Sequence, residues 1–519
     1  MNWRALIVLF AFSAPLVAQN SALDEAVSLM RQSRFKEALV KLEEAHRISP
    51  RSATIDNLLG ITETSLGLIE KANADYRAAI QLDPSQAAPH RNLGVNLLNA
   101  GDDSGASAEL REASRLDPKD QFAHYYLMSI DLAAGKDSDA IEQASLSGKL
   151  SDNDPETAAS LAGAEIRTGH IAEAAARIDL LEQGGILPPD RAYRLAVLFA
   201  NRGAWSQAID CFRRIAADHP AWQNRYNLAL ALLYGNQSAE ASTILSALHS
   251  EQPGNADILM FLGSAFEAQQ KMPEALDAYR AAAAADPSNP DHALDYTRLL
   301  MDTDRYDEAV QVIENGLGKT AETAPLELRL GAIEMIKGNY DAARDAFHAA
   351  LAHHPELDVA YVGLAQTYAR QANDAEAIKI LESARRTSPG HYLLEYYFGM
   401  LANRLGRYDD ARAALENAAS LDPHSPDPQF ELGKLFESRQ DWQEARKAFE
   451  QVIALRPEFA PAHYQLSRIY ARLGLHAEAE KEAKLTSSLV EAQRDQAFRD
   501  QRVRAGNFKA GIAGSQAEQ

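Results

Sequence analysis

An alanine recurs in register along this chain. From Ala38 it returns every 34 residues at Ala72, Ala106, Ala140, Ala174 and Ala208. After a single 33-residue step it continues at Ala241, Ala275, Ala309, Ala343, Ala377, Ala411, Ala445 and Ala479. Fourteen in-phase alanines mark an array, because a fixed period of this size repeats one supersecondary unit. Twelve residues downstream stands a proline: Pro50, Pro84, Pro118, Pro220, Pro253, Pro287, Pro355, Pro389, Pro423 and Pro457, interrupted by Asp152, Ile186 and Ala321. Twelve residues upstream the residue is small in most units, as Gly60, Gly94, Gly263, Gly331, Gly399 and Gly433, with Ala26, Ala162, Ala196, Ala229 and Ala365.

These columns have a mechanical reading. Within residues 392–425 apolar side chains recur at spacings of three and four in two stretches parted by the turn Gly406-Arg407, which predicts two antiparallel amphipathic helices. Small residues fit where the two helices cross closely, since larger ones force the axes apart. Proline cannot continue the second helix and so punctuates the unit.

The pattern resembles the tetratricopeptide repeat family. Its marks stand in residues 392–425 as Phe398-Gly399, Ala411, Leu415, Ala418 and Pro423, and in residues 256–289 as Leu262-Gly263, Ala275, Tyr279, Ala282 and Pro287. The resemblance covers roughly residues 19–493. It implies an all-α, right-handed superhelical solenoid of about 14 helix-turn-helix repeats, with first helices on the concave face. The units at 121–188 and 290–323 lack the proline, so their inter-repeat turns are expected to differ and to be where the superhelical geometry changes.

An array contacts only its neighbours and grows without one enlarging core, so the 519 residues read as a single elongated domain. The net charge of −21, with no dense lysine or arginine run, argues against nucleic acid as a partner. Residues 1–18 read as a secretory signal peptide: Arg4 precedes an apolar run from Ala5 to Ala18 that contains Pro15. The run is shorter than the ~20 residues of a spanning helix, so no stable membrane span is expected after cleavage. The expected location is exported, either periplasmic or extracellular. Past about Leu489 the repeat marks are lost and the first part of this polar stretch reads as a capping helix, with residues 494–519 a polar, partly disordered tail. The only cysteine, Cys211, precedes the core position Phe212 and reads as half-buried and apolar.

A search for chemistry finds none, and neither cofactor nor metal is expected. No HExxH, CxxC, CxxCH or GxSxG sequence occurs. Gly316-Leu317-Gly318-Lys319-Thr320 resembles the end of a phosphate-binding loop, but the first glycine it requires falls at Ile313 and no strand precedes it, so it reads as an inter-repeat turn. The acidic residues Asp302, Asp304, Asp307, Asp152 and Asp154 sit in turns and helix starts, where they cap backbone amides.

The register also points to a binding face. Fifteen residues before the alanine stand Tyr125, Tyr193, Tyr226, Met260, Tyr396, Phe430 and Tyr464, with Tyr126 and Tyr397 beside them. Eight positions further on are Arg370, Arg404 and Arg472, with Arg298 and Arg468 on adjoining turns. Tyrosine and arginine dominate binding hot spots, since each joins contact area to directional hydrogen bonding. The competing reading is that the tyrosines only pack between adjacent first helices. The leading expectation is a non-catalytic exported scaffold or adaptor that binds extended or helical segments of protein or peptide partners, in secretion, polysaccharide export or surface assembly. A substrate-holding chaperone or co-chaperone, and an enzyme whose site forms only in the superhelix, stand as alternatives. The carboxylate clamp of chaperone-binding relatives is not evident: Arg91 and Asn92 occur together, but the preceding unit offers Asn57 without a lysine.

Overall fold

The structure, a computed structural model, describes residues 21–152 and 154–494. The signal reading of residues 1–18 lies outside them, as does the tail beyond residue 494. Among the described residues the chain is helical, without strands, and runs as helix pairs from Ser21–Arg31 with Phe35–Ile48 to Ala460–Arg472 with a last helix over 476–494. The pairs form a helical-repeat solenoid, with the polar stretch after Leu489 continuing the last helix. They fall into two compact units divided between Gly235 and Asn236. The division lies at the one 33-residue step.

Thirteen of the fourteen alanines, Ala38 to Ala445, have no exposed surface. Ala479 alone is half-buried, since among the described residues no repeat follows it. The small column faces a ring or leucine from the position four after the alanine. A Cβ added at Gly60 would lie 2.5 Å from Tyr76, at Gly263 2.8 Å from Tyr279, at Gly399 2.6 Å from Leu415 and at Gly433 2.6 Å from Phe449. The close crossing therefore admits a large side chain on the second helix because the first helix has none there.

A left-handed residue lies five positions before every alanine. Glycine supplies it eight times, from Gly67 to Gly474, and Ser33, Asn236, Gln270, Asp304, Ala372 and Gln440 supply the rest. This turn reverses the chain between the two helices of a repeat, and only glycine adopts it without strain. Where the proline column is intact the second helix has 14 residues, as in Phe35–Ile48 and Tyr408–Leu421. The three second helices without it are shorter: Asp137–Ser147 has 11 residues, Ile171–Gln183 has 13 and Tyr306–Leu317 has 12. Each is followed at once by a glycine, Gly148, Gly184 or Gly318, and after the first of them a 3-10 turn over Gly148–Asp152 fills the connection. The altered inter-repeat turns thus lie where the proline is missing.

Of the five acidic residues expected to cap backbone amides only Asp154 does so; Asp152, Asp302 and Asp307 pair with Arg177, Arg298 and Lys337, and Asp304 accepts from the Tyr306 hydroxyl. Asp83, Asp117, Asp286 and Asp422, each just before the proline, accept the backbone N–H two residues on at 3.1 Å. Asp154 caps Thr157, also at 3.1 Å. The glycine-lysine segment is a turn: the Lys319 and Thr320 amides both donate to the Gly316 carbonyl. Cys211 is buried rather than half-buried, at 2% exposure, and burial pushes its thiol up to about 12.

Candidate functional site

Most of the large side chains in the binding columns of the first helices pack in part against the repeat core, and neighbouring chemistry decides what each still presents. In the first unit, Tyr125 and Tyr126 pack edge to face at 5.3 Å and are half-buried. Tyr193 is 39% exposed with its edge on Phe212. Tyr226 is half-buried beside Trp222. Arg91 is committed to Asp120 at 3.0 Å, and Asn92 donates to Asn57, so these two form a polar tie between first helices.

In the second unit several expected groove residues turn out to be packing groups. Arg298 grips both oxygens of Glu267, at 2.8 and 2.6 Å, and Tyr279 donates to the same carboxylate at 3.0 Å. The Arg298 fork joins adjacent repeats. Phe430 is half-buried, edge-on to Phe449 at 5.6 Å and to Phe459 at 5.3 Å, so its ring belongs to the core. Arg468 pairs with Glu437 at 2.9 Å and lies over the ring of Tyr464, itself 53% exposed. Arg472 lies 5.9 Å over the Trp442 ring. Tyr396 stacks on Tyr392 with ring centroids 6.0 Å apart. Burial, then the nearby acids Glu431 and Asp427, raise its hydroxyl pKa, so it acts as a neutral donor and acceptor.

Three expected residues come together. Arg370, Tyr397 and Arg404 line one groove of about 730 Å³ across the first helices Asp358–Arg370, Tyr392–Arg404 and Asp427–Ser438. Ala369, Met400 and Leu401 give it apolar lining, and Asn403, the buried Glu431 and Lys434 give it polar groups. Arg404 is held by Asp374 and Lys434 by Glu431 at 2.9 Å. Arg370 is exposed and has no acid or ring partner among the described residues. The Asn403 Oδ1 is buried and accepts no hydrogen bond. A volume of this size, apolar lining and a few polar groups suit a short stretch of peptide. The sequence did not single out Asn403, Met400 or Lys434. The repeat register was their available signal, since each lies within one helical turn of a residue that was chosen.

Among the described residues no set of histidine, cysteine or acidic side chains is arranged to hold a metal ion. No helix of the described residues is long and apolar enough to cross a membrane.

Known proteins place this architecture. Sequence signatures of the tetratricopeptide repeat match residues 23–87, 192–221, 226–290, 266–327, 334–394, 402–447 and 430–485. Among curated proteins, the human protein O-mannosyl-transferase TMTC1 is 27% identical over 178 residues, 33% of this chain and 20% of that one. The cellulose synthase operon protein C of Pseudomonas fluorescens is 23% identical over 306 residues, 54% of this chain and 24% of that one. The chain therefore spans no more than about a quarter of either relative. Among solved structures, yeast Tom70 aligns over 94% of this chain and 98% of its own at 14% identity and a TM-score of 0.40. MamA aligns over 32% of this chain and 97% of its own at 24% identity and a TM-score of 0.30.

Proposed function

Because the chain belongs to the tetratricopeptide repeat family, we propose that it is a non-catalytic, exported scaffold holding extended or helical segments of protein partners against the first helices of its second unit. The observation that carries this reading is the groove that gathers Arg370, Tyr397 and Arg404 beside apolar lining. Repeat packing uses the alanine, small and ring columns, whereas these side chains lie outside those columns, with Tyr397 packing only in part against the core. An aromatic and a free guanidinium beside apolar surface are the groups from which binding hot spots are built.

The export part of the reading rests on the leader-like residues 1–18. The likeness to a cellulose synthase operon protein supports polysaccharide export as the setting, with secretion and surface assembly the other envelope roles for such a scaffold. The match to a mannosyl-transferase covers 20% of that protein and brings no transferase chemistry to this chain.

Affinity capture of the full chain from an envelope fraction tests the proposal. Wild type should retain stoichiometric protein partners that are lost on Arg370→Gln, Tyr397→Ala and Arg404→Gln combined, with far-UV circular dichroism unchanged. The same partners in the same amounts from both proteins would place binding elsewhere.

A further inference from the structure

The cations of the second unit's first helices are not alike. Along the binding columns Arg298, Arg404, Lys434 and Arg468 each hold a carboxylate, and Arg472 lies over a tryptophan. Arg329 and Arg370, on consecutive first helices Ala324–Lys337 and Asp358–Arg370, do not.

The repeat register shows why Arg370 is left open. The residue three before one alanine meets the residue seven before the next: Asp137 with Arg167, Asp374 with Arg404, Trp442 with Arg472. For Arg370 that position is Tyr340, which supplies no charge. Arg329 is half-buried, and its one polar contact among the described residues is the Met301 sulfur at 3.8 Å. Burial, then the neighbouring Arg298, pull its pKa below the ordinary arginine value, with Asp295 and Asp302 nearby opposing the shift. A half-buried cation with no direct ion pair is unfavourable in the free protein and is relieved when an anion arrives. In the groove with Arg370, the buried Asn403 Oδ1 lacks a donor, which the N–H of a continuing peptide backbone supplies.

We propose that this face takes an extended, acidic internal segment of a protein partner, its side-chain carboxylates meeting Arg329 and Arg370 and its apolar side chains resting on Tyr397 and Met400. The inference rests on the groove reading above and narrows it to one class of segment. Charge complementarity carries it: in a chain of net charge −21, neither of these two guanidinium groups forms an ion pair with an acid among the described residues.

The test uses the full chain and synthetic peptides of alternating aspartate and leucine, acetylated and amidated at their ends, with fluorescence anisotropy as the readout. The amide isostere, with asparagine for aspartate, and a lysine version serve as comparisons, and an uncapped asparagine peptide tests whether a terminal carboxylate suffices. The capped acidic peptide should bind roughly tenfold or more tightly than the asparagine and lysine versions. Arg370→Gln should remove most of that preference. Arg329→Met should weaken acidic-peptide binding while raising the melting temperature of the free protein, a combination that a structural arginine does not give. If all capped peptides bind alike and binding falls with Tyr397→Ala, the groove stands and the acidic preference is wrong. If only the uncapped asparagine peptide binds, the internal-segment proposal is wrong. If no peptide binds, both the preference and the groove reading fail.

Discussion

Phe347 is held between two glycines, and this geometry gives a perturbation whose sign can be worked out. The ring is 3% exposed. A Cβ at Gly331 of its own repeat would lie 2.7 Å from the ring, and a Cβ at Gly363 of the next repeat would lie 2.5 Å from its Cζ and 2.6 Å from its Cε1. Ordinary carbon contacts need ~3.5 Å or more. Gly363→Ala therefore asks the ring to move by about 1 Å toward a side already closed by the helix of Gly331. Overpacking of this kind costs about 1–3 kcal/mol, while replacing a mid-helix glycine by alanine returns about 1 kcal/mol of helix propensity. The net expectation is a loss of roughly 0–2 kcal/mol. Urea unfolding followed by far-UV circular dichroism, with amide hydrogen exchange on Asp358–Arg370 as a local readout, measures it. Adding Phe347→Leu should make the alanine less costly than it is in the wild-type background, giving a favourable coupling in the double-mutant cycle. A Gly363→Ala protein stabilised by about 1 kcal/mol, the propensity gain alone, would refute the packing argument.

Three further outcomes follow from named residues. Ala372 holds a left-handed conformation at φ 58°, so Ala372→Gly should stabilise the second unit by about 0.5–1 kcal/mol in urea titration. Burial, then the neighbouring Asp75, raise the Glu63 carboxyl from an ordinary 4.5 to about 7, with Lys71 opposing and Glu43 adding to the shift. The folded chain then holds a proton that the unfolded chain has released, so this group's contribution is fullest below pH 4.5 and is lost as pH rises through about 7. Melting temperatures should show Glu63→Gln gaining on wild type as pH goes from 5 to 8. Cys211 should react with a thiol reagent only as the helix Trp205–Asp218 opens, so the native rate should fall well below that of the urea-unfolded chain.

Much of the fold was legible because each column reports one contact. The alanine column predicted the buried crossing, the small column predicted close approach, and the missing prolines at Asp152, Ile186 and Ala321 marked the shortened second helices. The left-handed turn was less visible, because residues such as Ala372 and Gln440 adopt it without being glycine. The division into two compact units was not read from the sequence, although it coincides with the 33-residue step before Ala241. For the candidate site, sequence located Arg370, Tyr397 and Arg404 but could not separate them from Arg298 or Phe430. That separation depends on what stands opposite: Glu267 lies 31 residues before Arg298, a distance meaningful only once adjacent repeats are stacked.

The central claim is that partners lie along the first helices of the second unit. Site-specific photo-crosslinking tests it most directly, with the probe placed at Met400 in the groove lining or at Lys379 on the exposed face of a second helix. With a purified partner bound, crosslinks should form from position 400 and map to one continuous partner segment, and position 379 should give few or none. Equal crosslinking at both positions, or crosslinking from 379 alone, would contradict the account.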